Sequence, residues 1–96
     1  MISLKDKSSA QNPNWFLYIL KCSDGTLYTG ITNDISRRIS QHNNGSASRY
    51  TRSRRPVQCL YYEPCHNRSH ALKRELMVKS LPKKEKERLI SKLKRT

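Results

Sequence analysis

Two side chains on one short helical stretch, Arg38 and His42, stand where apolar residues belong. The stretch Asp34-Ile35-Ser36-Arg37-Arg38-Ile39-Ser40-Gln41-His42-Asn43 opens on an N-cap residue and ends at Asn44-Gly45, a helix stop. At 3.6 residues per turn, positions 35, 38, 39 and 42 share one face. Ile35 and Ile39 mark that face as the inward one, so a guanidinium and an imidazole project toward the interior with them. Arg37 and Gln41 can turn to water at no cost. An inward guanidinium needs a partner, because an unpaired buried charge is very costly. Packing alone offers a tyrosine for Arg38 to stack on and a satisfied core position for His42.

The acids narrow the chemistry further. Only seven carboxylates are present, and most have ordinary work. Asp24 sits in a turn, Asp34 at a helix start, Asp6 in a polar leader, and Glu85 and Glu87 on a basic last helix. Glu63 and Glu75 remain. Glu75 lies one helical turn from Ala71, Leu72 and Val78, inside an apolar sector. There it can hold a magnesium or manganese ion through one direct bond, with waters and a substrate phosphate completing the shell. The alternative is an ordinary pair with Lys79 at i, i+4 spacing. A two-metal centre needs several convergent carboxylates, so one-ion chemistry is the version this chain supports.

The elements that must position these groups follow from pattern. Trp15 to Cys22 is a dense β-type run, Ser23-Asp24-Gly25 is a turn, and Thr26 to Ile31 is a second strand. A two-residue Asp24-Gly25 loop would pair Lys21 with Tyr28 and send Tyr18 and Tyr28 to opposite faces. A three-residue loop closed by a left-handed Gly25 would set Leu20 opposite Tyr28 and Tyr18 opposite Gly30, with both tyrosines on one face. The second register is preferred, because Gly25 stands last in the loop. It also gives Gly30 a reason, since a glycine inside a strand leaves room for a phenol; a simple kink before the helix is the plainer reading. Beyond the first helix, Arg49, Arg52, Arg54 and Arg55 alternate with small hydroxyl residues and Tyr50 in a predicted solvated loop. Arginines rather than lysines there suit bidentate phosphate contacts. A third strand is expected over Val57 to Tyr62. A second long helix, capped by Asn67 or Ser69, is expected to run to about Leu81, and Pro82 opens a last helix over Lys83 to Lys94.

Composition sets the class of partner. Twenty Lys+Arg against seven Asp+Glu leave a net charge of +13, which implies a polyanion, nucleic acid first. No stretch is apolar enough to span a membrane, and residues 1–14 lack the apolar run of a signal peptide, so they read as a flexible leader to a domain over 15–94. Cys22, Cys59 and Cys65 make an odd set, consistent with free thiols in a reducing cytoplasm. Cys59, Cys65, His66 and His70 are a poor zinc set, because five residues separate the cysteines.

A tyrosine on strand one (Leu17-Tyr18-Ile19), Tyr28-Thr29-Gly30 on strand two, Thr32-Asn33-Asp34, Arg38-x-x-x-His42 and a later helical Glu75 together resemble the GIY-YIG nuclease superfamily. Gln41-His42-Asn43-Asn44-Gly45, Arg49-Tyr50-Thr51 and Arg54-Arg55-Pro56 are similar to its small single-domain branch, uncharacterised protein family 0213. The resemblance runs from about Trp15 to Ile90. It implies an α+β fold, a three-stranded antiparallel sheet flanked by helices, and metal-dependent cleavage of phosphodiester bonds. Tyr18, Tyr28, Arg38, His42 and Glu75 would be the active set, with Glu75 holding the metal. The sequence departs from the pattern at its opening, where Phe16 and Leu17 stand in place of the first glycine. Ile31 also stands where some relatives carry a basic residue.

The chemistry of the residues agrees. A tyrosine titrates near 10, so it is a poor base unless a cation lowers its pKa. Arg38 and a metal on Glu75 supply such a field, and Arg38 also meets transition-state charge. The expectation is Tyr18 as base on water, through His42, with Tyr28 orienting water or phosphate; the two tyrosines can exchange these roles. The expected substrate is DNA, single-stranded or branched, cut with little sequence specificity, and RNA is a possible partner. A non-catalytic nucleic-acid-binding module on the same scaffold is the rival reading.

Overall fold

The computed structural model describes residues 14–94, with side chains through 92. Apart from Asn14, the leader expected over 1–14 lies outside the described residues. Strands β1 (Trp15–Lys21) and β2 (Leu27–Thr32) form a hairpin whose turn is the three-residue one. Cys22 N–H donates to the Thr26 carbonyl at 2.9 Å, Gly25 N–H donates to the Cys22 carbonyl at 2.9 Å, and Gly25 has φ +86°. Only a residue without Cβ takes that φ freely, so the turn sets the register. Tyr18 stands opposite Gly30 and Leu20 opposite Tyr28, as expected.

Strand β3 (Gln58–Cys65) lies antiparallel on the other side of β1, giving the order β2-β1-β3. It starts one residue later and ends three residues later than the Val57–Tyr62 expected. The extension passes through Pro64, which has no N–H for a ladder. An edge strand tolerates that, since one side of its backbone needs no partner.

Because side chains alternate along a strand, β1 sends odd and even residues to different helices. Leu17 and Ile19 pack with Tyr61, Cys65, Ala71, Val78 and Ile90, drawn from β3, α3 (Arg68–Lys79) and α4 (Lys83–Lys94). Tyr18, Leu20, Cys22 and Val57 pack with Ile35 and Ile39 of α1 (Ile35–Asn43). Asp34 caps α1 by accepting from Arg37 N–H at 3.0 Å, and Gly45 leaves it at φ +85°. Asn67, rather than Ser69, caps α3, which ends at Lys79, two residues short of expectation.

One further expectation is corrected here. The arginine-rich segment is not all loop: Arg49–Arg52 form a short helix, α2, whose Thr51 N–H is capped by Ser48 Oγ at 3.1 Å. Cys59 joins the even-face cluster while Cys65 joins the odd-face one, so a shared zinc site would have to reach through the sheet. All three cysteines are free thiols. Among the described residues, no helix is long and apolar enough to cross a membrane.

Candidate active site

The even face of the hairpin carries a buried polar chain. Tyr18 is 1 % exposed, and its hydroxyl lies 2.8 Å from His42 Nε2. The ring reaches that position by crossing Gly30: a Cβ there would sit 2.5 Å from the Tyr18 oxygen and 2.7 Å from Cζ. His42 is fully buried, and its Nδ1 lies 2.8 Å from Oγ1 of Thr51, itself fully buried. Thr51 Oγ1 lies 3.0 Å from Ser48 Oγ. With the Thr51 hydroxyl donating toward Ser48, it accepts from Nδ1–H of His42. Nε2 is then left to accept the Tyr18 proton.

Burial decides the charge state of this chain. It pushes the His42 imidazole down to about 4, and the positive charge of Arg38 pushes the same way, so the ring is neutral at pH 7. Burial also pushes the Tyr18 phenol up to about 12. The nearby Arg38 guanidinium pulls it down, as expected, but Tyr28 and Glu75 oppose it and desolvation outweighs it. Arg38 alone therefore does not make Tyr18 a ready base: in the ligand-free protein, Tyr18 keeps its proton.

Arg38 is half-buried on the inward face of α1, as its spacing requires. Its Nη1 donates to Gln41 Oε1 at 3.0 Å, yet its Nε is buried with no partner among the described residues. An unsatisfied buried donor on a charged group carries a real penalty, which an arriving acceptor removes. Tyr28 is half-buried, edge-on to His42 with centroids 5.2 Å apart, and stacked on Tyr50 at 5.8 Å.

The arginine segment divides by role. The Arg54 guanidinium lies 3.9 Å from the Tyr50 ring centroid, bonds Asp24 at 3.0 Å and donates to the Tyr50 carbonyl at 2.8 Å. Arg55 donates to the Arg52 carbonyl at 2.8 Å and to the Asn43 carbonyl at 3.4 Å. These two arginines and Tyr50 therefore fix the segment over the site, a use the sequence did not suggest. Arg49 and Arg52 are exposed.

Glu63 and Glu75 also separate. Glu63 is clamped by Arg74 at 2.6 and 3.1 Å and accepts from the Tyr61 hydroxyl. Burial opposes its ionisation, but those bonds prevail and hold its pKa below the ordinary value. Glu75 is 18 % exposed at its side chain, lies 3.4 Å from Lys79, and is near enough to Tyr18 to raise the phenol's pKa. Among the described residues no three His, Cys, Asp or Glu side chains converge on a metal position. A hard divalent ion on the single carboxylate of Glu75 would need phosphate and water to complete its shell, and would compete with the Lys79 pairing.

Tyr18, Tyr28, Arg38 and His42 come together, and Glu75 lies within reach of their charges. Thr51 and Ser48 were missed. The signal was the Ser48-x-x-Thr51 spacing, which is that of an N-cap and the backbone N–H it satisfies.

A family model described as the GIY-YIG catalytic domain matches residues 14–88. The chain is similar to a UPF0213 protein of Desulfotalea psychrophila, 51 % identical over 88 % of this chain and 77 % of that protein. It is similar to a UPF0213 protein of Staphylococcus saprophyticus at 50 % identity over 79 % of this chain and 93 % of that one. Two solution NMR structures match the fold. The UPF0213 protein of Bacillus halodurans has 39 % identity and TM-score 0.52, covering 80 % and 82 % of the two chains. A protein of E. faecalis has 34 % identity and TM-score 0.59, covering 90 % and 93 %.

Proposed function

The chain belongs to the GIY-YIG catalytic-domain family, in its UPF0213 branch, and from that premise we propose that it is a metal-dependent endonuclease cutting DNA phosphodiester bonds. In this reading it acts in the cytoplasm as one domain over residues 15–94, on single-stranded or branched DNA with little sequence specificity. The observation that carries it is the half-buried Arg38, its Nε unpartnered, beside the closed Tyr18–His42–Thr51 chain.

Arg38 Nε–H is a donor waiting for a phosphate oxygen, and its charge meets the negative charge that grows there during cleavage. A phosphate on Arg38 also offsets the push that Arg38 exerts on His42, so the imidazole's proton affinity rises when substrate is seated. Tyr18 can then take a proton from water at its oxygen while passing its own to His42 Nε2, 2.8 Å away. Thr51 holds the proton on Nδ1, which keeps Nε2 open. Tyr28, half-buried against His42, orients water or phosphate. Glu75 would hold one Mg2+ or Mn2+, which when bound supplies Lewis-acid stabilisation of the phosphate and the leaving oxygen. Arg49 and Arg52 meet flanking phosphates, while Arg54, Arg55 and Tyr50 fix the segment that presents them.

Arg38→Ala and Glu75→Ala test the reading. With Mg2+ and labelled single-strand, flap, junction and duplex substrates, each variant should lose cleavage about 100-fold or more. Binding of the same substrates should change far less. Unaltered cleavage in either variant would trace the activity to a contaminant and sink the proposal. Binding without metal-dependent cleavage in the unaltered protein would favour a non-catalytic module, and preference for RNA would correct the substrate.

A further inference from the structure

Strand β2 is an edge strand, and at its C-terminal end a cleft of about 340 Å³ opens beside Arg38. Asn33, Arg37, Arg38 and Gln41 line one side of it, while Trp15 and Arg68 line the other. The two walls come from different layers. Arg37, Arg38 and Gln41 belong to α1 on the even face, whereas Trp15 packs against the odd-face core and Arg68 opens α3. We infer that this cleft seats the nucleotide adjoining the scissile phosphate, with Arg68 and Arg37 on its phosphate and Trp15 against its unpaired base.

Three features carry this beyond a solvated basic surface. Among the described residues the lining holds three arginines and no carboxylate, which suits an anion, and forked guanidiniums match phosphate oxygens better than point charges do. Arg37 is only partly occupied, by Asn33 at 3.2 Å and by Asp34 at 3.9 Å. Trp15 is half-buried, and the Arg68 guanidinium lies 5.9 Å from its ring centroid, so aromatic surface and positive charge adjoin. That pairing is what a base and its own phosphate need, and any base can use it because every base has a flat face. The unpartnered Nε of Arg38 marks where this cleft meets the reacting centre.

The substrate class follows. A base inside a duplex has both faces covered by its neighbours, so only an unpaired base reaches Trp15. The cleft therefore selects strands that are single or splayed at the position next to the cut. This inference rests on the nuclease reading, but it can fail separately.

Trp15 is the only tryptophan in the chain, so its fluorescence reports the cleft directly. Short oligothymidylate titrated into the full chain with EDTA present should quench Trp15 saturably, at the Kd given by anisotropy of the labelled oligonucleotide. A hairpin duplex of equal length should quench less. Arg68→Gln should weaken oligothymidylate binding roughly tenfold. With Mg2+ restored, the same variant should raise KM more than it lowers kcat. Oligonucleotide that binds without disturbing Trp15, Arg68→Gln that binds as tightly as the parent, or no binding at all would each overturn the inference. Quenching by a protein that never cleaves would keep the cleft and remove the nuclease reading. Cleavage with a silent Trp15 would do the reverse.

Discussion

The two faces of β1 are built on different principles. On the odd face, Leu17 and Ile19 meet Ala71, Val78 and Ile90, and the order comes from apolar area removed from water. On the even face, Tyr18 shares its layer with Leu20 and Ile39 but points at His42, which points at Thr51. That layer is buried just as deeply, yet its interior is a line of hydrogen bonds. One strand with a period of two thus separates an apolar core from a buried line of hydrogen bonds, one residue apart.

The largest effects come from exchanging neighbours across that divide. Ile19→Ala should lower stability by about 2–5 kcal/mol in denaturant titration while cleavage per folded molecule persists. Tyr18→Phe should leave the protein folded, at a cost of about 1–3 kcal/mol for the lost bond and the stranded His42 acceptor. It should nevertheless reduce cleavage by two orders of magnitude or more. If both variants lost activity in proportion to stability, the two faces would not differ in kind.

Gly30→Ala sharpens the same contrast with a single methyl group. The added Cβ would stand 2.5 Å from the Tyr18 oxygen, and Tyr18 has no solvent to swing into. Overpacking should destabilise the protein by about 2–3 kcal/mol and pull the phenol off His42. Alanine at the exposed Gln58, on the opposite edge of the sheet, is the control and should change neither property. A Gly30→Ala protein with normal melting and normal cleavage would show that the phenol does not need that gap.

The smallest expected effect is a pH dependence confined to the even face. Folded His42 titrates at about 4, whereas an unfolded histidine titrates near 6.5. Between those values the unfolded chain binds more protons, so stability falls as pH drops through that window. The loss should be about 1–2 kcal/mol by pH 5 and is present in full only below about 4. Thermal melts at pH 7 and 5, with NMR titration of the imidazole, measure it; a His42 ring that titrates near 6.5 would contradict the burial argument.

What was legible in the sequence was local. Helix spacing alone turns Arg38 and His42 inward, and the place of Gly25 in its turn alone brings Tyr18 over Gly30. Thr51 was not legible, because its contact with His42 depends on α2 folding back over α1 through a segment with no hydrophobic period. The second role of Arg54 depends on Asp24, thirty residues away, a pairing that no local pattern specifies. The length of β3 was misread at Pro64, since proline stops a strand in most settings and is permitted only at a sheet edge, which is a property of topology.

That topology also sets the timing of folding. β1 is the central strand and the first made, yet its two neighbours both come later in the chain, and the pairing of Trp15 with Cys65 closes a span of fifty residues. A growing chain can form the hairpin and α1 early, because those contacts are near in sequence. It cannot satisfy the far edge of β1 until β3 has emerged, and α3 with Glu75 docks later still. Long-range closure of this kind is the slow part of a search. The buried tyrosine and histidine can therefore meet in a half-made chain, while the carboxylate that completes their surroundings arrives with almost the last quarter of the sequence.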